Sequence, residues 1–442
     1  MYPILNSAIT KVKNQPLFYI FYVNINNNLF PIQVNDSAAH IFKLCNGLNT
    51  IDNIVQILSN YYNENYDKVK EYVNDFLNDS KKYGHIFLSE NCLSSATILD
   101  EFGSKEFWIP DFIVLELTEE CPLRCKHCYL DAGHGTTMEY ELFIKILNEM
   151  IELKIDKIQL TGGEPLLHPK FFQILELCIN NDIDTQLFTS GFLASQDIIN
   201  KFNSYVGKKI TFQISIDGLE EYHDDFRGVK YSYKNAINFI TEMHNKGFTV
   251  MVGMTIIKQE YKEISQLCDI LKSIGVSMLR IGPVSNRGRA KTNNIEELKN
   301  NVLNARMITK QLSIEKNDKN FKVVYFEENQ DHLNSKYIVN CGLGQTLLKI
   351  SPSGDVYPCA ISDLKIGEVR NHTIKTIQQK TSRLFEILQK PGNQKCNNCK
   401  NSVICHNCIV ESLLYGKNEN VHCDWYNSQR DLIEKIEYSE SV

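Results

Sequence analysis

Three cysteines near the middle of the chain have the number and spacing of a metal–sulfur site. Cys121, Cys125 and Cys128 are separated by three and two residues, and they follow an apolar run at 113–117 that is typical of a buried strand. A [4Fe–4S] cluster normally takes four protein thiolates. Three thiolates would leave one iron open to chelate a small molecule, as catalysis requires. The same thiols could instead hold a structural zinc ion, with His127 as the fourth ligand.

A second group of cysteines lies near the C-terminus. It contains two Cys-x2-Cys pairs, and two such pairs fit a zinc ribbon. A zinc ribbon uses four ligands, however, so zinc would account for only part of the group. The group has seven members: Cys341, Cys359, Cys396, Cys399, Cys405, Cys408 and Cys423.

Composition and charge predict a cytoplasmic protein. The 442 residues include 47 Lys and Arg against 53 Asp and Glu, a balance that argues against a nucleic-acid binder. No apolar run approaches the roughly 18 residues of a membrane span, and the first residues lack the apolar core of a signal peptide. In a reducing cytosol, clustered cysteines more often bind metal or catalyse than form disulfides. We therefore expect the 14 cysteines to be free thiols or metal ligands.

The region between the two cysteine groups alternates strands with amphipathic helices, such as 142–153 and 233–246. This alternation is typical of βαβ units and a parallel sheet, and active sites on such sheets lie at the C-terminal strand ends. The loop with the first three cysteines is therefore expected at the functional edge. Six strands are predicted, at 113–117, 157–160, 185–189, 211–216, 249–254 and 278–283.

Residues 1–100 are predicted to form a separate small unit. Two short strands, at 17–23 and 29–34, precede three amphipathic helices, and a further strand follows at 86–88. Three helices with β-ribbons make a winged-helix shape, which often binds DNA. Because no helix here is rich in Lys and Arg, we favour a peptide-docking module that adds a peptide strand to an exposed sheet edge.

The Cys-x3-Cys-x2-Cys motif after the first strand of a partial α/β barrel resembles the radical S-adenosylmethionine (SAM) superfamily. The resemblance implies a partial (β/α)6 barrel, and a [4Fe–4S] cluster whose open iron binds the amino and carboxylate groups of SAM. One electron from the cluster then cleaves the C5′–S bond of SAM and yields a 5′-deoxyadenosyl radical. Cys121, Cys125 and Cys128 would hold this cluster.

A second motif of that family follows the second predicted strand. Gly162-Gly163-Glu164-Pro165 matches the family's GGEP. The resemblance implies that its backbone carbonyls and the Glu164 carboxylate hold the SAM ammonium group. An ordinary turn is the alternative.

Further SAM contacts are implied around the fourth strand. Ser215 and Arg227 have the family's spacing of twelve and would contact the ribose and the SAM carboxylate, which an arginine fork suits. Asp217 lies in the same segment as Ser215 and is predicted to belong to the SAM-binding site. His127 has the position that packs near adenine in the family. Ser215 and Asp217 could instead cap the strand, Arg227 could form a surface ion pair, and His127 could have a packing role.

The order of the seven C-terminal cysteines resembles the SPASM extension of radical SAM enzymes that modify peptides. The x2 spacing of Cys405 and Cys408 resembles sactipeptide maturases of the subtilosin type, whereas many SPASM proteins have x3. The resemblance implies two auxiliary [4Fe–4S] clusters, and hence three clusters in all. Cluster I would be held by Cys341, Cys359 and Cys408, and cluster II by Cys396, Cys399, Cys405 and Cys423.

Auxiliary cluster I has no obvious fourth ligand. Leu347 occupies the place where some relatives have an extra cysteine. An open iron there could bind a substrate thiolate. Cys45, Cys178 and Cys268 lie on helix faces and are expected in the core; Cys92 lies in a linker, and one of these four could still complete cluster I.

A basic loop, 286–291, follows the sixth predicted strand. It could be a solvated loop, or it could make electrostatic contact with SAM or an acidic peptide.

These resemblances predict modification of a ribosomally made precursor peptide through a sulfur-to-α-carbon thioether, as in sactipeptides. Alternatives are β- or γ-thioethers, epimerisation, carbon–carbon crosslinks and a zinc-stabilised peptide-binding protein. The resemblance implies a flavodoxin or ferredoxin as the reductant. We expect no nucleic-acid partner. The predicted domains are a winged-helix-like, PqqD-like recognition unit at 1–100, the barrel at 108–290, a helical bridge at 291–340, the SPASM domain at 341–425 and a tail at 426–442.

Overall fold

The computed structural model describes residues 1–26, 28–93, 98–293, 298–326, 340–392, 395–396, 399, 408–417 and 422–438. The chain divides into two compact units, Met1–Ile109 and Pro110–Val442. Within the described ranges, no helix is both long and apolar enough to cross a membrane.

The N-terminal unit contains the three helices that the sequence predicts. Asn35, Thr50 and Asn65 begin them, because each side chain accepts a hydrogen bond from a backbone N–H in the first turn. The elements are strands β1 (Tyr2–Leu5), β2 (Ile9–Gln15), β3 (Phe18–Ile25), β4 (Asn28–Val34), β5 (Ile86–Ser89) and β6 (Asp100–Gly103), and helices α1 (Asp36–Leu44), α2 (Ile51–Tyr62) and α3 (Tyr66–Lys82).

Four of these strands form one sheet in the order β4-β3-β2-β6, and β1 pairs with β5. The helices and the sheet share one core, in which the rings of Phe21 and Phe42 meet edge to face at 5.1 Å. Because β6 pairs in parallel with β2, the unit extends past the boundary at residue 100 that the sequence predicts.

The C-terminal unit alternates strands and helices over most of its length. Its strands are β7 (Phe112–Glu116), β8 (Lys157–Thr161), β9 (Asp184–Thr189), β10 (Ile210–Ser215), β11 (Thr249–Ile256), β12 (Met278–Pro283), β13 (Lys322–Tyr325), β14 (Leu347–Ile350), β15 (Asp355–Tyr357) and β16 (Gly367–Glu368). Its helices are α4 (Tyr140–Glu152), α5 (Phe171–Asn180), α6 (Gln196–Lys201), α7 (Glu220–Arg227), α8 (Ser232–Asn245), α9 (Tyr261–Ser273), α10 (Gly288–Thr292), α11 (Leu298–Lys316), α12 (Ile374–Ile387), α13 (Ile409–Gly416) and α14 (Asp424–Tyr438).

All ten strands belong to one sheet, in the order β13-β12-β11-β10-β9-β8-β7-β14-β15-β16. Strands β7 to β12 are parallel neighbours in chain order, and the six predicted strands are confirmed. The interval 291–340, predicted as a helical bridge, also contributes β13, which pairs in parallel with β12. The cysteine-rich region contributes β14, which pairs in parallel with the other edge of the barrel at β7.

The barrel strands have one apolar and one polar face. Along β10, Ile210, Phe212 and Ile214 are buried, while the residues between them are half-buried. On the polar face, Gln159 donates to Gln186 at 2.9 Å, in neighbouring strands. Cys45, Cys178 and Cys268 are buried as expected of core residues, and Cys92 is exposed.

Candidate active site

The first three cysteines lie on the loop that follows β7, at the C-terminal end of the barrel strands. The backbone N–H groups of Arg124 and Lys126 donate to the carbonyl oxygens of Arg227 and Phe226 at 3.0 and 2.9 Å. These bonds hold the loop against the end of α7, and Cys125 is buried there. The loop is therefore fixed by a helix that begins far away in the sequence.

The basic loop at 286–291 packs on the same cysteine loop. The backbone N–H of Arg289 donates to the Cys128 carbonyl and its Nε donates to the Cys125 carbonyl, both at 2.9 Å. Arg287 is buried and pairs with Asp363 and, at 3.8 Å, with Glu411. The interpretation of this segment as a solvated loop is wrong for both arginines, because they bind protein groups around the cysteines.

The GGEP segment runs beside the start of the cysteine loop. The N–H of Gly163 donates to the Thr118 carbonyl at 2.6 Å, and that of Glu164 to the Glu120 carbonyl at 2.8 Å. A Cβ on Gly162 would lie 2.4 Å from the Thr118 oxygen, and one on Gly163 would lie 2.3 Å from the Glu120 oxygen. The two backbones approach so closely that only glycine fits at either position.

Glu164 is fully buried, and its carboxylate is held by the end of β9. Thr189 Oγ1 donates to it at 2.7 Å, and Ser190 donates from its N–H at 2.9 Å and from its Oγ at 2.5 Å. Burial raises the pKa of Glu164, and these hydrogen bonds oppose that rise. Pro165, also buried, begins a short 3-10 turn over Pro165–Leu167. The contact of Glu164 with the SAM ammonium stays a prediction.

Thr189 and Ser190 are site residues that the sequence analysis missed. Thr189 is the last residue of β9 and Ser190 follows it directly. Strand β9 neighbours β8, the strand after which GGEP begins. Polar residues at the carboxyl end of an adjacent parallel strand were the available signal.

Asp217 and Arg227 form a buried ion pair in which two guanidinium nitrogens contact one carboxylate oxygen. The Nε and Nη2 atoms of Arg227 lie 2.9 and 2.7 Å from Asp217 Oδ2, and the N–H of Thr255 donates to Oδ1 at 2.9 Å. Burial would raise the pKa of Asp217, but the Arg227 charge holds it below its ordinary value. The alternative interpretation, that Arg227 forms a surface ion pair, is therefore wrong. Ser215 ends β10 and is half-buried, and the SAM contacts of these residues stay predictions.

His127 packs face to face on Phe226, with ring centroids 4.6 Å apart and planes inclined by 6°. Its Nε2 lies 4.0 Å from Asp217 Oδ2. Burial lowers its pKa to about 4, so the ring is neutral at physiological pH. The packing role that the sequence left open is present, and the contact with adenine stays a prediction.

The chemistry of the first three thiols fits an iron–sulfur cluster. Burial raises the pKa of Cys121 to about 12. Burial also raises the pKa of Cys125, and the charges of Arg227 and Arg289 oppose that rise. Buried thiolates need positive charge nearby, and iron supplies it when bound. In the described residues, no three His, Cys, Asp or Glu side chains converge on a single ion.

The C-terminal cysteines fall into two sets by their electrostatic contacts. Burial raises the pKa of Cys408, as do the nearby thiols of Cys359 and Cys341. The pKa of Cys423 is raised mainly by burial, and the nearby thiols of Cys399 and Cys396 add to the rise. The assignment of these cysteines to auxiliary clusters I and II stays a prediction. Cys405 lies outside the described residues, and Leu347 begins β14 opposite Phe112 of β7.

Three family models match successive parts of the chain. The model of the Radical SAM superfamily matches residues 115–271, and SPASM, an iron–sulfur cluster-binding domain, matches 341–400. The model of coenzyme PQQ synthesis protein D (PqqD) matches 31–86, within the N-terminal unit.

Two curated proteins of Bacillus subtilis (strain 168) are similar to this chain. The antilisterial bacteriocin subtilosin biosynthesis protein AlbA is 25% identical over 460 residues, which cover 99% of each chain. The sporulation killing factor maturation protein SkfB is 26% identical over 296 residues, covering 66% of this chain and 70% of its own.

The fold is similar to that of Streptococcus suis SuiB bound to its precursor peptide SuiA. The TM-score is 0.60 at 15% identity, covering 93% of this chain and 97% of SuiB. The α/β barrel, the cysteine loop and the matching models agree on one assignment. The chain contains a radical SAM domain, and it joins that domain to a SPASM domain and a PqqD domain.

Proposed function

We propose that this protein is a peptide maturase that forms sulfur-to-α-carbon thioether (sactionine) links within a ribosomally synthesised precursor peptide. The observation that carries the proposal is the nearness of the two cysteine groups. Tyr129 directly follows Cys128, and burial, Glu116, Cys128 and Cys359 all raise its pKa. A radical source would therefore lie beside a second group of thiols that can take part in sulfur chemistry. Similarity to AlbA along 99% of both chains supports this choice.

In this site Cys121, Cys125 and Cys128 would hold the cluster that binds SAM. When bound and reduced, that pair of cofactors would supply a 5′-deoxyadenosyl radical able to take a hydrogen atom from a peptide α-carbon. Ser215 and Arg227, whose guanidinium is held by Asp217, would contact the ribose and the carboxylate of SAM. The carbonyl groups of the GGEP segment and Glu164 would face the SAM ammonium, and His127 would lie near adenine.

The C-terminal cysteines would hold two auxiliary clusters. Cys341, Cys359 and Cys408 would leave one position open on cluster I, because Leu347 has no ligand atom. That position would supply an iron for the substrate thiolate and an acceptor for the surplus electron. Cluster II would be held by Cys396, Cys399, Cys405 and Cys423.

The N-terminal unit would bind the leader of the precursor peptide. Strand β4 is an edge strand among the described residues, and its Leu29 and Phe30 are exposed. An exposed edge can take an added peptide strand through main-chain hydrogen bonds. A flavodoxin or ferredoxin would supply electrons, in the cytoplasm.

The test of the function is a peptide assay. Anaerobic protein with SAM and dithionite, given a candidate short, cysteine-containing peptide encoded beside this gene, should remove two hydrogens from the peptide for each link. Tandem mass spectrometry locates each link, and a peptide with serine in place of cysteine is the control. Formation of 5′-deoxyadenosine without a change in peptide mass would contradict thioether formation, and deuterium uptake from solvent would then indicate epimerisation.

The number of clusters is tested by metal analysis. Three [4Fe–4S] clusters require about twelve irons and twelve sulfides per chain. Replacing Cys121, Cys125 and Cys128 together by alanine should remove about four irons. The same replacement of Cys341, Cys359 and Cys408 should also remove about four irons, and it should leave 5′-deoxyadenosine formation in place. Zinc at either group, or loss of all iron in either variant, would contradict the assignment.

A further inference from the structure

A buried acid–base pair lies where the cysteine-rich region joins the barrel. Glu116 ends β7 and is 3% exposed, and Lys349 in β14 is 6% exposed. The Nζ of Lys349 lies 3.6 Å from Oε1 of Glu116. That oxygen has no hydrogen-bond partner among the described residues. A buried carboxylate oxygen with no hydrogen bond is costly, so its presence calls for an explanation.

The strand register places both side chains on the polar face of the sheet. Lys349 is paired with Val114, two residues before Glu116, and residues two apart on a strand share a face. Glu116 is paired in turn with Thr161 on β8. Gln159, two residues before Thr161, belongs to the same polar face. The carboxylate therefore points to the side of the sheet that carries the polar barrel residues.

The pair lies between the two cysteine groups. Burial raises the pKa of Tyr129, and Glu116, Cys128 and Cys359 add to that rise. Burial raises the pKa of Cys359, and Lys349 opposes the rise. A substrate thiol that approaches the open position beside Cys359 would thus come near Glu116.

The charges around Glu116 suit a proton acceptor. Burial raises its pKa, Lys349 opposes that rise, and Glu119 adds to it. Tyr357 faces the pair from β15, where it is opposite Lys349, and Tyr129 faces it from the cysteine loop. Strongly perturbed groups of this kind gather at functional sites, and a base works best when its pKa is near the operating pH.

We propose that Glu116 is the general base that accepts the proton of the substrate cysteine thiol, and that Lys349 positions its carboxylate. This inference rests on the proposed thioether chemistry. In the step, the S–H bond breaks, its electron pair stays on sulfur, and the proton forms an O–H bond with Glu116. No electron changes hands, and the product is the thiolate that the linking reaction requires.

The test combines Glu116→Gln with two peptides, one with cysteine and one with selenocysteine at the linking position. The variant keeps the size of the side chain and removes the base. With the cysteine peptide, linking should fall at least about 100-fold, while 5′-deoxyadenosine formation and iron content stay as in the native protein. The selenol is ionised at neutral pH and needs no base, so the selenocysteine peptide should restore linking to within a few-fold of native.

A second readout does not depend on turnover. The infrared S–H stretching band of the cysteine peptide, measured against the serine peptide, should disappear on binding to the native protein and persist on binding to Glu116→Gln. Lys349→Met should shift the rising limb of the pH–rate profile to higher pH, because the carboxyl loses its positive neighbour. Glu139→Gln removes an exposed carboxylate paired with Arg370, and it should change none of these readouts.

The outcomes separate the two proposals. Native-like linking of the cysteine peptide by Glu116→Gln, or an S–H band that is lost in both proteins, would overturn the role of Glu116. Loss of linking with both peptides together with loss of iron would assign Glu116 a structural role instead. A native protein that links neither peptide would overturn the thioether function, and the S–H band would still test Glu116.

Discussion

Replacing Gly163 by alanine should slow SAM cleavage at least about 100-fold. The added Cβ would lie 2.3 Å from the carbonyl oxygen and 2.7 Å from the carbonyl carbon of Glu120. Both are backbone atoms, so no side-chain rotation can relieve the clash, and the chain leading to Cys121 must move. Because a shift of about 1 Å can cost about 100-fold in rate, we expect 5′-deoxyadenosine formation to fall by at least that factor. Chromatography of the SAM products under dithionite measures it.

The matched control is Gly207→Ala. Gly207 has a φ of +75°, and nothing lies within 4 Å of its added Cβ. That change should cost about 1–2 kcal/mol of backbone strain and leave SAM cleavage unchanged. Native rates of SAM cleavage in Gly163→Ala would show that the close approach of GGEP to the cysteine loop is unimportant.

Replacing Asp217 by asparagine should destabilise the C-terminal unit by about 3–5 kcal/mol, because the Arg227 charge stays buried without its counterion. SAM cleavage should also be lost, since the variant frees the guanidinium and weakens the end of α7 that holds the cysteine loop. Denaturant unfolding, followed by circular dichroism, measures the stability. The double variant Asp217→Asn with Arg227→Met removes both charges and should be more stable than Asp217→Asn alone.

The pH dependence of this pair has a definite sign. The pKa of Asp217 lies below its ordinary value of 3.8 in the folded protein. A lowered pKa gives stability that is fully present above the ordinary value and is lost as pH falls through the folded value. The stability difference between native and Asp217→Asn should thus be constant at neutral pH and shrink only below about pH 4. A difference that shrinks between pH 6 and pH 8 would contradict the assigned ion pair.

Much of the fold could be predicted because its signals are local. The six barrel strands are apolar runs separated by amphipathic helices, and each run can be recognised without knowledge of its partner. Strands β13 and β14 were missed because they are four residues long and lie in polar or turn-rich segments. Their pairing with β12 and β7 is a long-range contact, which periodicity does not report.

The residues of the candidate site show the same difference between local signals and long-range contacts. The cysteines and GGEP were found because their spacing is fixed along the chain. The buried roles of Arg287 and Arg289 were missed, since a run of basic residues looks the same whether it is solvated or packed on a loop. Glu116 was missed because it ends an apolar strand, and its meaning depends on Lys349, which is distant in the sequence.

The pairing of β14 with β7 also affects how the protein is made. Leu347 is the register partner of Phe112, so strand β7 gains its second neighbour only after the ribosome has synthesised most of the chain. Until then the nascent barrel presents an open edge at β7, and open edges are templates for pairing with other chains. The same dependence bears on engineering, since a cysteine-rich region transplanted from another enzyme must bring a strand that fits this edge.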